Sequence, residues 1–339
     1  MQKAQVNLNK ILVIQTAFIG DAILATALLE SIHNSLPEAR IDLLVRKGNE
    51  SLFQQHPFLN QVLIWDKKQS KYKNLFALLK TIRASKYDLV INLQRFGATG
   101  LLTALSGGGI TVGYNKNPFS FLFTKKVPHE LDKGLHEVDR NNQLVAWFAS
   151  TLKRQPKLYP TKEHYARVEV YTQKSFICAA PNSVWFTKQY PAHKWIDFLN
   201  QVPLEYTVYL LGAPGDAESC SWIKSQVVTN LRIEILAGKL SFLESAALME
   251  KAAMNYVNDS APMHIASSMN APVAAIFCST VPAFGFGPLS DTSFNIETTE
   301  KLGCRPCGLH GYKACPEGHF KCAEGIGKEQ LVDVLSNRF

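Results

Sequence analysis

The stretch ILVIQTAFIGDAILATALLESI, from Ile11 to Ile32, contains the features that decide the fold class. It begins with an apolar run typical of a buried strand and passes through a short segment containing Gly20 and Asp21. It then continues as a long apolar, amphipathic helix. A strand that leads directly into a helix is the repeating unit of parallel α/β sheets. The stretch therefore predicts one β–α unit of such a sheet.

The same alternation of apolar runs and amphipathic stretches continues along the chain in two series. It predicts strands at residues 11–15, 41–45, 61–65, 87–93, 175–181, 206–212, 231–237, 254–260 and 272–278. It predicts helices at residues 21–36, 73–85, 98–106, 136–152, 192–202, 216–228, 240–252, 261–270 and 327–339. A segment rich in Pro and Lys, residues 153–166, is interpreted as a linker between the two series.

The length of 339 residues exceeds what one core usually organises, so two domains are expected. The pattern predicts two doubly wound α/β lobes, with a cleft where the carboxyl ends of their strands face each other. We expect ligands to bind in that cleft, because the N-termini of helices converge there.

The composition, with 46% hydrophobic and 19% charged residues, is typical of a globular protein. The net charge of +8 indicates either an anionic partner or simply a charged surface. No basic arm or interleaved aromatic platform is present, so a nucleic-acid partner is not expected. The sequence shows neither a signal peptide nor an apolar window of roughly 18 residues, which predicts a cytoplasmic protein.

Asp21 has two interpretations. In the first, the residue is an N-cap, because Asp is favoured at helix starts and Gly20 permits a tight turn before it. In the second, the carboxylate is a weak base, ionised at neutral pH, which removes a proton from a hydroxyl that attacks an oxocarbenium-like centre.

The segment NDSAPMHIA, residues 258–266, lies at a predicted strand-to-helix turn. Its backbone N–H groups are expected to form a phosphate cradle without a Walker lysine. The alternative is an ordinary turn capped by a polar side chain, with a structural histidine one turn later. The candidate donor-binding residues here are Asp259, Ser260, Ala261, Pro262, Met263 and His264.

Two further turns carry polar candidates. Thr187 and Lys188 are expected to contact a diphosphate by hydrogen bond and charge, unless Lys188 is merely solvated. Asp216 or Glu218 is expected to bind ribose hydroxyls, although capping of the next helix is the alternative for Asp216. The chain lacks a GxGxxG fingerprint, a P-loop, a nucleophile elbow and an HExxH motif, which argues against dehydrogenases, NTPases, α/β-hydrolases and zincins.

Four cysteines are concentrated in a loop-like stretch near the C-terminal end of the sequence: Cys304, Cys307, Cys315 and Cys322. Four thiolates can complete a tetrahedral zinc site, with His310 and His319 as substitute ligands. The alternative is four free thiols, because disulfides are disfavoured in the cytosol. Neither alternative is interpreted as catalytic, and no catalytic metal is expected.

These residues together resemble the ADP-heptose:lipopolysaccharide heptosyltransferases, glycosyltransferase family nine, over nearly the whole chain. The opening stretch is similar to the family's N-terminal motif, in which the acid after Gly is the proposed base, here Asp21. The segment at residues 87–114 resembles the family's acceptor side, although this chain has Asn92 and Arg95 where Asp and Gly are usual. The helix that starts HEVDR resembles one with a paired His and Arg.

In the helix that starts HEVDR, the paired His and Arg of the family correspond to His136 and Arg140. WFTKQYPAHKW resembles the family's donor loop, and the most specific likeness is to an Asp-Ser-small-Pro-Met-His signature that begins at Asp259. The usual Gly of that signature is replaced by Ala261, and a Cys-rich tail recurs in the family.

The resemblance implies a GT-B fold of two Rossmann-like lobes. It predicts an acceptor-side lobe at residues 1–165, a nucleotide-sugar lobe at residues 166–325, and a C-terminal helix at residues 326–339 that packs back on the first lobe. It implies an inverting, metal-independent heptosyl transfer from ADP-heptose to lipopolysaccharide core or a related lipid-linked acceptor, with Asp21 as the base.

We therefore expect the protein at the inner face of the inner membrane, in peripheral contact with anionic lipids. Two other interpretations remain open: a same-fold transferase that uses another nucleotide sugar, and a noncatalytic protein that only binds one. An epimerase would need the absent glycine fingerprint.

Overall fold

The computed structural model describes residues 8–130, 134–150 and 155–336. The chain divides into two compact units, Met1–Tyr159 and Pro160–Phe339. Each unit is built on its own six-stranded sheet, in which every described pair of neighbouring strands is parallel. The prediction of two doubly wound α/β lobes is therefore confirmed.

The first unit has the strand order β3-β2-β1-β4-β5-β6. Its strands are β1 (Lys10–Gln15), β2 (Arg40–Arg46), β3 (Leu59–Trp65), β4 (Leu89–Asn92), β5 (Ile110–Tyr114) and β6 (Lys125–Val127). Its helices are α1 (Ile19–Leu24), α2 (Thr26–Ser35), α3 (Lys71–Ser85), α4 (Gly97–Ala104) and α5 (Glu137–Gln143). The order is that of a Rossmann-type sheet.

The second unit repeats this topology, with the strand order β12-β11-β10-β7-β8-β9. Its strands are β7 (Phe176–Ala180), β8 (Thr207–Leu210), β9 (Arg232–Ile235), β10 (Met254–Asn258), β11 (Val273–Phe277) and β12 (Ser293–Glu297). Its helices are α6 (Lys162–Val168), α7 (Ala192–Leu199), α8 (Ala217–Gln226), α9 (Phe242–Lys251), α10 (Ala261–Ser268), α11 (Lys321–Glu324) and α12 (Lys328–Ser336).

The nine predicted strands are present, but three others were missed: β5, β6 and β12. Strand β6 has only three residues, none of them fully buried, and β12 has a single buried residue, Ile296. Both lie at sheet edges, where one side of the strand has no neighbour and apolar patterning is weak. The missed β5 contains Gly113, which interrupts an otherwise β-rich run.

Two predicted helices are shorter than expected. The helix expected over residues 21–36 is broken at Ala25, where the Thr26 hydroxyl donates to the Ile23 carbonyl and accepts from Lys157 N–H. Such bonding to the preceding turn bends helices. The helix expected over residues 136–152 ends at Gln143 and continues as turns, and its last two residues lie outside the described ranges.

The boundary between the units lies earlier than the predicted residue 165. Helix α6 begins inside the predicted linker and packs on α9, so it belongs to the second unit. The first two linker residues, 153 and 154, lie outside the described ranges.

The C-terminal helix joins the core of the second unit. Helix α12 packs on α7 and β12 of that unit, and the packing of residues 326–339 on the first lobe, which the resemblance implied, stays a prediction. Leu331, Val334 and Leu335 join the hydrophobic core of the second sheet, and the Tyr256 hydroxyl donates to the Leu331 carbonyl at 2.9 Å. The cause is the apolar face of α12, which that core buries. Residues 337–339 of the predicted helix lie outside the described ranges.

Within the described ranges, every helix is too short or too polar to cross a lipid bilayer.

Candidate functional site

The topology marks one place on each sheet where ligands should bind. In a doubly wound sheet, the strand order reverses at a switch point, and the crevice outside the carboxyl ends of the two strands there accepts ligands. The switch point lies between β1 and β4 in the first unit and between β7 and β10 in the second. The residues that follow these four strands are therefore the candidate ligand-binding residues.

Asp21 follows β1 and is the third residue of α1. The N-cap position belongs to Phe18, which makes no side-chain capping bond, so the prediction that Asp21 starts the helix is wrong. Gly20 is a helical residue rather than part of a tight turn before the helix. Asp21 is partly exposed in the first helical turn, where the helix dipole favours a negative charge.

The loop between β1 and α1 is held by three side chains from other parts of the first unit. Lys67 Nζ donates to the Thr16 carbonyl at 2.6 Å, and Asn49 Nδ2 donates to the Ala17 carbonyl at 3.1 Å. The Thr16 hydroxyl donates to Oε1 of Gln94, which follows β4, at 2.6 Å. These bonds fix the backbone that leads into α1, and so they fix the position of its first turn.

Helix α5 contributes a buried ion pair to the same unit. Arg140 Nε donates to Glu137 Oε2 at 2.8 Å, and the Arg140 side chain is only 1% exposed. A second guanidinium nitrogen donates to the Leu135 carbonyl. Burial raises the pKa of Glu137, and the Asp21 carboxylate adds to this rise, whereas Arg140 opposes it. His136 is the N-cap of α5, where its Nδ1 accepts from the Val138 N–H.

The second switch point contains a short ion pair between residues of different β–α units. Lys188, after β7, lies 2.6 Å through Nζ from Oδ2 of Asp259, which follows β10. The two side chains are 14% and 8% exposed. The Thr280 hydroxyl, after β11, donates to the same carboxylate oxygen at 2.6 Å. Lys188 is therefore not simply solvated, which was the alternative that the sequence left open.

Thr187 is buried and bonded to its own unit. Its hydroxyl accepts from the Tyr312 N–H at 2.7 Å and from the Ser279 hydroxyl at 3.0 Å. Gly311 packs so closely here that an added Cβ would lie 2.9 Å from Thr187 Oγ1. The structure thus places Thr187 where it positions Lys188, and the direct diphosphate contact expected of its hydroxyl stays a prediction.

The cradle expected at α10 is smaller than the sequence suggested. Ser260 is the N-cap, Pro262 has no N–H, and the Met263 N–H already donates to the Ser260 carbonyl at 3.1 Å. The N–H groups of Ser260 and Ala261 have no acceptor among the described residues. His264 lies 6% exposed inside the helix. Two amides therefore remain for an anionic ligand.

The position of this turn is fixed by Asn258, the last residue of β10. Its side-chain amide donates to the Ala180 and Pro181 carbonyls at 3.3 and 2.8 Å, and its Oδ1 accepts from the Tyr190 N–H at 2.9 Å. These three bonds join the end of β10 to the loop that carries Lys188. The loop and the start of α10 are therefore held as one unit.

The two acids proposed for ribose binding differ in their surroundings. Asp216 Oδ2 accepts from the Ala213 N–H at 2.7 Å, so one carboxylate oxygen closes a turn after β8. Glu218 is exposed in the first turn of α8. Strand β8 neighbours β7, so both acids lie along the sheet edge that carries Lys188. Neither acid is selected over the other.

The Cys-rich segment packs against this edge of the second sheet. Arg305 donates to the carbonyls of Phe277, Cys278 and Thr280, and Cys307 N–H donates to the Ser279 carbonyl at 2.8 Å. These bonds make the segment a brace for the site.

The four thiols of that segment are free and lie close enough to influence one another. Burial and the neighbouring thiols raise the pKa of Cys322 to about 11. Cys304 Sγ lies 4.0 Å from His319 Nε2. In residues 8–130, 134–150 and 155–336, no three His, Cys, Asp or Glu side chains are arranged to hold a metal ion. The zinc site and the four free thiols therefore both stay predictions.

Ser279, Thr280, Tyr312 and Arg305 take part in the second site and were not among the sequence candidates. One signal was available for two of them, because Ser279 and Thr280 directly follow a predicted strand, where functional side chains concentrate. Tyr312 and Arg305 contact the site across long stretches of chain, and no local pattern indicates them.

Comparison with known proteins agrees with this geometry. The family model of glycosyltransferase family 9 (heptosyltransferase) matches residues 75–311. Lipopolysaccharide heptosyltransferase 3 of Escherichia coli is 27% identical over 290 residues, which cover 78% of this chain and 82% of that protein.

Two solved structures share the fold. A glycosyl transferase family 9 protein from Veillonella parvula has a TM-score of 0.84 at 22% identity, covering 98% of both chains. The E. coli heptosyltransferase WaaC with ADP-2-deoxy-2-fluoro heptose has a TM-score of 0.74 at 17% identity, covering 97% of this chain and 100% of that one. The two sheets thus form a GT-B-like fold, and the chain belongs to glycosyltransferase family 9, the heptosyltransferase family.

Proposed function

We propose that the protein transfers heptose from ADP-heptose to a sugar hydroxyl of a lipopolysaccharide core or a related lipid-linked acceptor. The observation that carries this proposal is the mostly buried Lys188 ammonium, which pairs with Asp259 just before the start of α10, in a chain of the heptosyltransferase family. A cation and two backbone amides at a Rossmann switch point suit the diphosphate of a nucleotide sugar. One E. coli relative of the same fold has been solved with an ADP-heptose analogue.

The donor binds to the second unit. Lys188 keeps its bond to Asp259 and directs its remaining N–H donors at the diphosphate, since an ammonium has three. The amides of Ser260 and Ala261 meet the same oxygens. As the sugar–phosphate bond breaks, negative charge grows on the diphosphate, and these donors stabilise it without reorganising. Either Asp216 or Glu218 binds the ribose hydroxyls.

The acceptor binds to the first unit, and Asp21 is the base. Its carboxylate removes the proton of the acceptor hydroxyl as that oxygen forms a bond to the anomeric carbon. The bond to the nucleotide diphosphate breaks on the opposite face, and its electron pair leaves with the diphosphate. A single displacement of this kind inverts the anomeric configuration and needs no metal.

The lipid-linked acceptor determines where the reaction takes place. A chain with a net charge of +8 is attracted to anionic lipid headgroups, where such an acceptor lies. We propose peripheral contact with the inner face of the inner membrane from the cytoplasm.

The test is Asp21→Asn, which keeps the shape of the side chain and removes the base. We expect transfer from ADP-heptose to fall by about 10²–10⁴-fold, while ADP-heptose binding measured by calorimetry is retained. Asp197→Asn is the matched control, because Asp197 is an exposed acid on α7 with the same charge. Unchanged turnover in Asp21→Asn would show that Asp21 is not the base.

The wild-type arm of this experiment addresses the two alternatives. Assays with ADP-heptose beside other nucleotide sugars identify the donor, because the preferred donor has the highest kcat/KM. Binding of a nucleotide sugar without turnover of any would instead identify a noncatalytic binding protein.

A further inference from the structure

Arg95 is a cation that the mechanism does not use. It lies in the loop after β4, the strand adjacent to β1, and β1 leads to Asp21. Its side chain is partly buried, and it makes no hydrogen bond or ion pair with any residue in the described ranges. A guanidinium presents five N–H donors and stays charged, so Arg95 can bind an anionic ligand at this switch point through several hydrogen bonds.

The backbone on both sides of Arg95 is held in place. Asn117 Nδ2 donates to the carbonyls of Gln94 and Phe96 at 3.0 and 3.1 Å. The Gln94 N–H donates to Asn92 Oδ1 at 2.9 Å. The loop is therefore rigid on both sides of Arg95, and its guanidinium starts from a fixed point. Such preorganisation lowers the entropy that a ligand must overcome.

Arg95 lies near two other cations, Arg140 and Lys116, and near the Glu137 carboxylate. Burial, and to a smaller extent the nearby cations Arg95, Arg140 and Lys116, lower the pKa of His129 to about 4. Arg140 is neutralised by Glu137, but Lys116 is exposed and, like Arg95, has no described partner. Arg95 and Lys116 thus make no ion pair with a described residue, although Arg95 lies near enough to Glu137 to lower the pKa of that carboxyl.

Buried polar groups without partners lie in the same part of the unit. Asn92 Nδ2 and His129 Nδ1 have no hydrogen-bond partner among the described residues, although both residues are at most 4% exposed. Asn92 ends β4, and His129 follows β6 and packs edge-on against Tyr114 at the end of β5, with ring centroids 4.5 Å apart. Unsatisfied groups of this kind are rare and often belong to ligand sites.

We propose that Arg95, with Lys116, forms a subsite for an anionic substituent of the acceptor, a carboxylate or a phosphate monoester. A guanidinium binds either group through two parallel hydrogen bonds, which fixes orientation as well as charge. The subsite selects acceptors that carry this anion near the hydroxyl that attacks the donor. It rests on the proposed function, because it assigns the first unit to the acceptor.

The test measures kinetics of Arg95→Gln with three acceptors: lipopolysaccharide core oligosaccharide, the same material dephosphorylated, and the same material with its carboxyl groups reduced. On the intact acceptor we expect the acceptor KM to rise about tenfold to a hundredfold, with the ADP-heptose KM unchanged. On the form that lacks the recognised anion, wild type and variant should coincide, which identifies the anion. Arg95→Lys should recover part of the affinity.

The matched control is Arg83→Gln, which removes the same charge from an exposed position near the end of α3, a helix that leads into the amino end of β4. It should leave all three acceptors unaffected. The subsite is overturned if Arg95→Gln matches wild type on the intact acceptor or raises the donor KM. It is also overturned if the difference persists undiminished on both modified acceptors.

Titrations with inorganic phosphate and with glucuronate separate this proposal from the proposed function. We expect wild type to bind at least one of them and Arg95→Gln to bind it at least tenfold more weakly. Equal binding by the two proteins overturns the subsite whether or not heptose is transferred. If wild type transfers no heptose but Arg95-dependent binding is seen, the proposed function fails and the anion subsite stands.

Discussion

The two switch points have the same topology but opposite charge arrangements. In the second unit, Lys188 and Asp259 neutralise each other across two β–α units, and Thr280 completes the carboxylate. In the first unit, the neutralised pair is Glu137 and Arg140, both on α5, while a separate guanidinium has no described partner. A closed pair suits a ligand that adds to existing bonds, such as a diphosphate. A guanidinium without a described ion-pair partner instead uses its whole charge to bind an anionic group of the ligand.

The largest expected effect on stability concerns the buried ion pair of the first unit, Glu137–Arg140. Glu137→Ala leaves the Arg140 guanidinium buried, charged and without its carboxylate, and an arginine cannot lose its proton. We expect the free energy of unfolding to fall by about 3–5 kcal/mol in urea titrations. Glu38→Ala removes an exposed carboxylate from the same unit and should change it by less than about 0.5 kcal/mol. Similar losses in the two variants would mean that the pair adds nothing.

The second prediction tests whether the Lys188–Asp259 ion pair of the second unit binds the donor. Lys188→Ala removes the ammonium proposed to bind the diphosphate, so ADP should bind about tenfold to a hundredfold more weakly in titration calorimetry. Lys174→Ala is the control, because this exposed lysine precedes β7 and so lies at the opposite edge of the sheet. Unchanged ADP affinity in Lys188→Ala would take the residue out of the donor site.

Much of the fold was predictable because parallel sheets have strong local signatures. The buried strand β1 is a continuous apolar run, and α1 and α2 follow it within a few residues. The break at Ala25 was not predictable, since the apolar periodicity continues through it and one of the two bonds of the Thr26 hydroxyl comes from a backbone N–H far along the chain. Edge strands such as β6 were not predicted, because no apolar side chain has to be buried on their outer side and the apolar pattern is therefore weak.

The site was predictable only in part, for a related reason. Strand ends indicated Lys188 and Asp259 separately, but their pairing joins residues in different β–α units, and only the strand order brings them together. The N-cap interpretation of Asp21, one of the two that the sequence left open, is wrong because the helix begins two residues earlier, at Ile19. The predicted packing of α12 on the first lobe came from a family resemblance. The apolar face of the helix, which is buried in the second core, was not used for that prediction.

The smallest expected effects concern the glycines that pack beside the two sites. An added Cβ at Gly100 would lie 2.0 Å from Asn117 Oδ1, and one at Gly311 would lie 2.9 Å from Thr187 Oγ1. Gly311 also has φ of +76°, which costs a residue with a Cβ about 1–2 kcal/mol. Gly311→Ala should therefore lower the free energy of unfolding by about that amount and should weaken ADP binding, while leaving the acceptor KM unchanged.

Gly100→Ala should show the reverse pattern in the kinetics. Alanine is favoured over glycine in a helix by up to about 1 kcal/mol, which offsets part of the displacement of Asn117, so the net loss of stability should be about 1 kcal/mol. The displaced amide releases the loop that carries Arg95, so the acceptor KM should rise while ADP affinity is unchanged. Combining Gly100→Ala with Asn117→Ala removes the overlap, so the double variant should be more stable than the sum of the single losses predicts. Additive losses would show that Gly100 and Asn117 act independently, and equal effects on donor and acceptor would show that the two edges are not specialised.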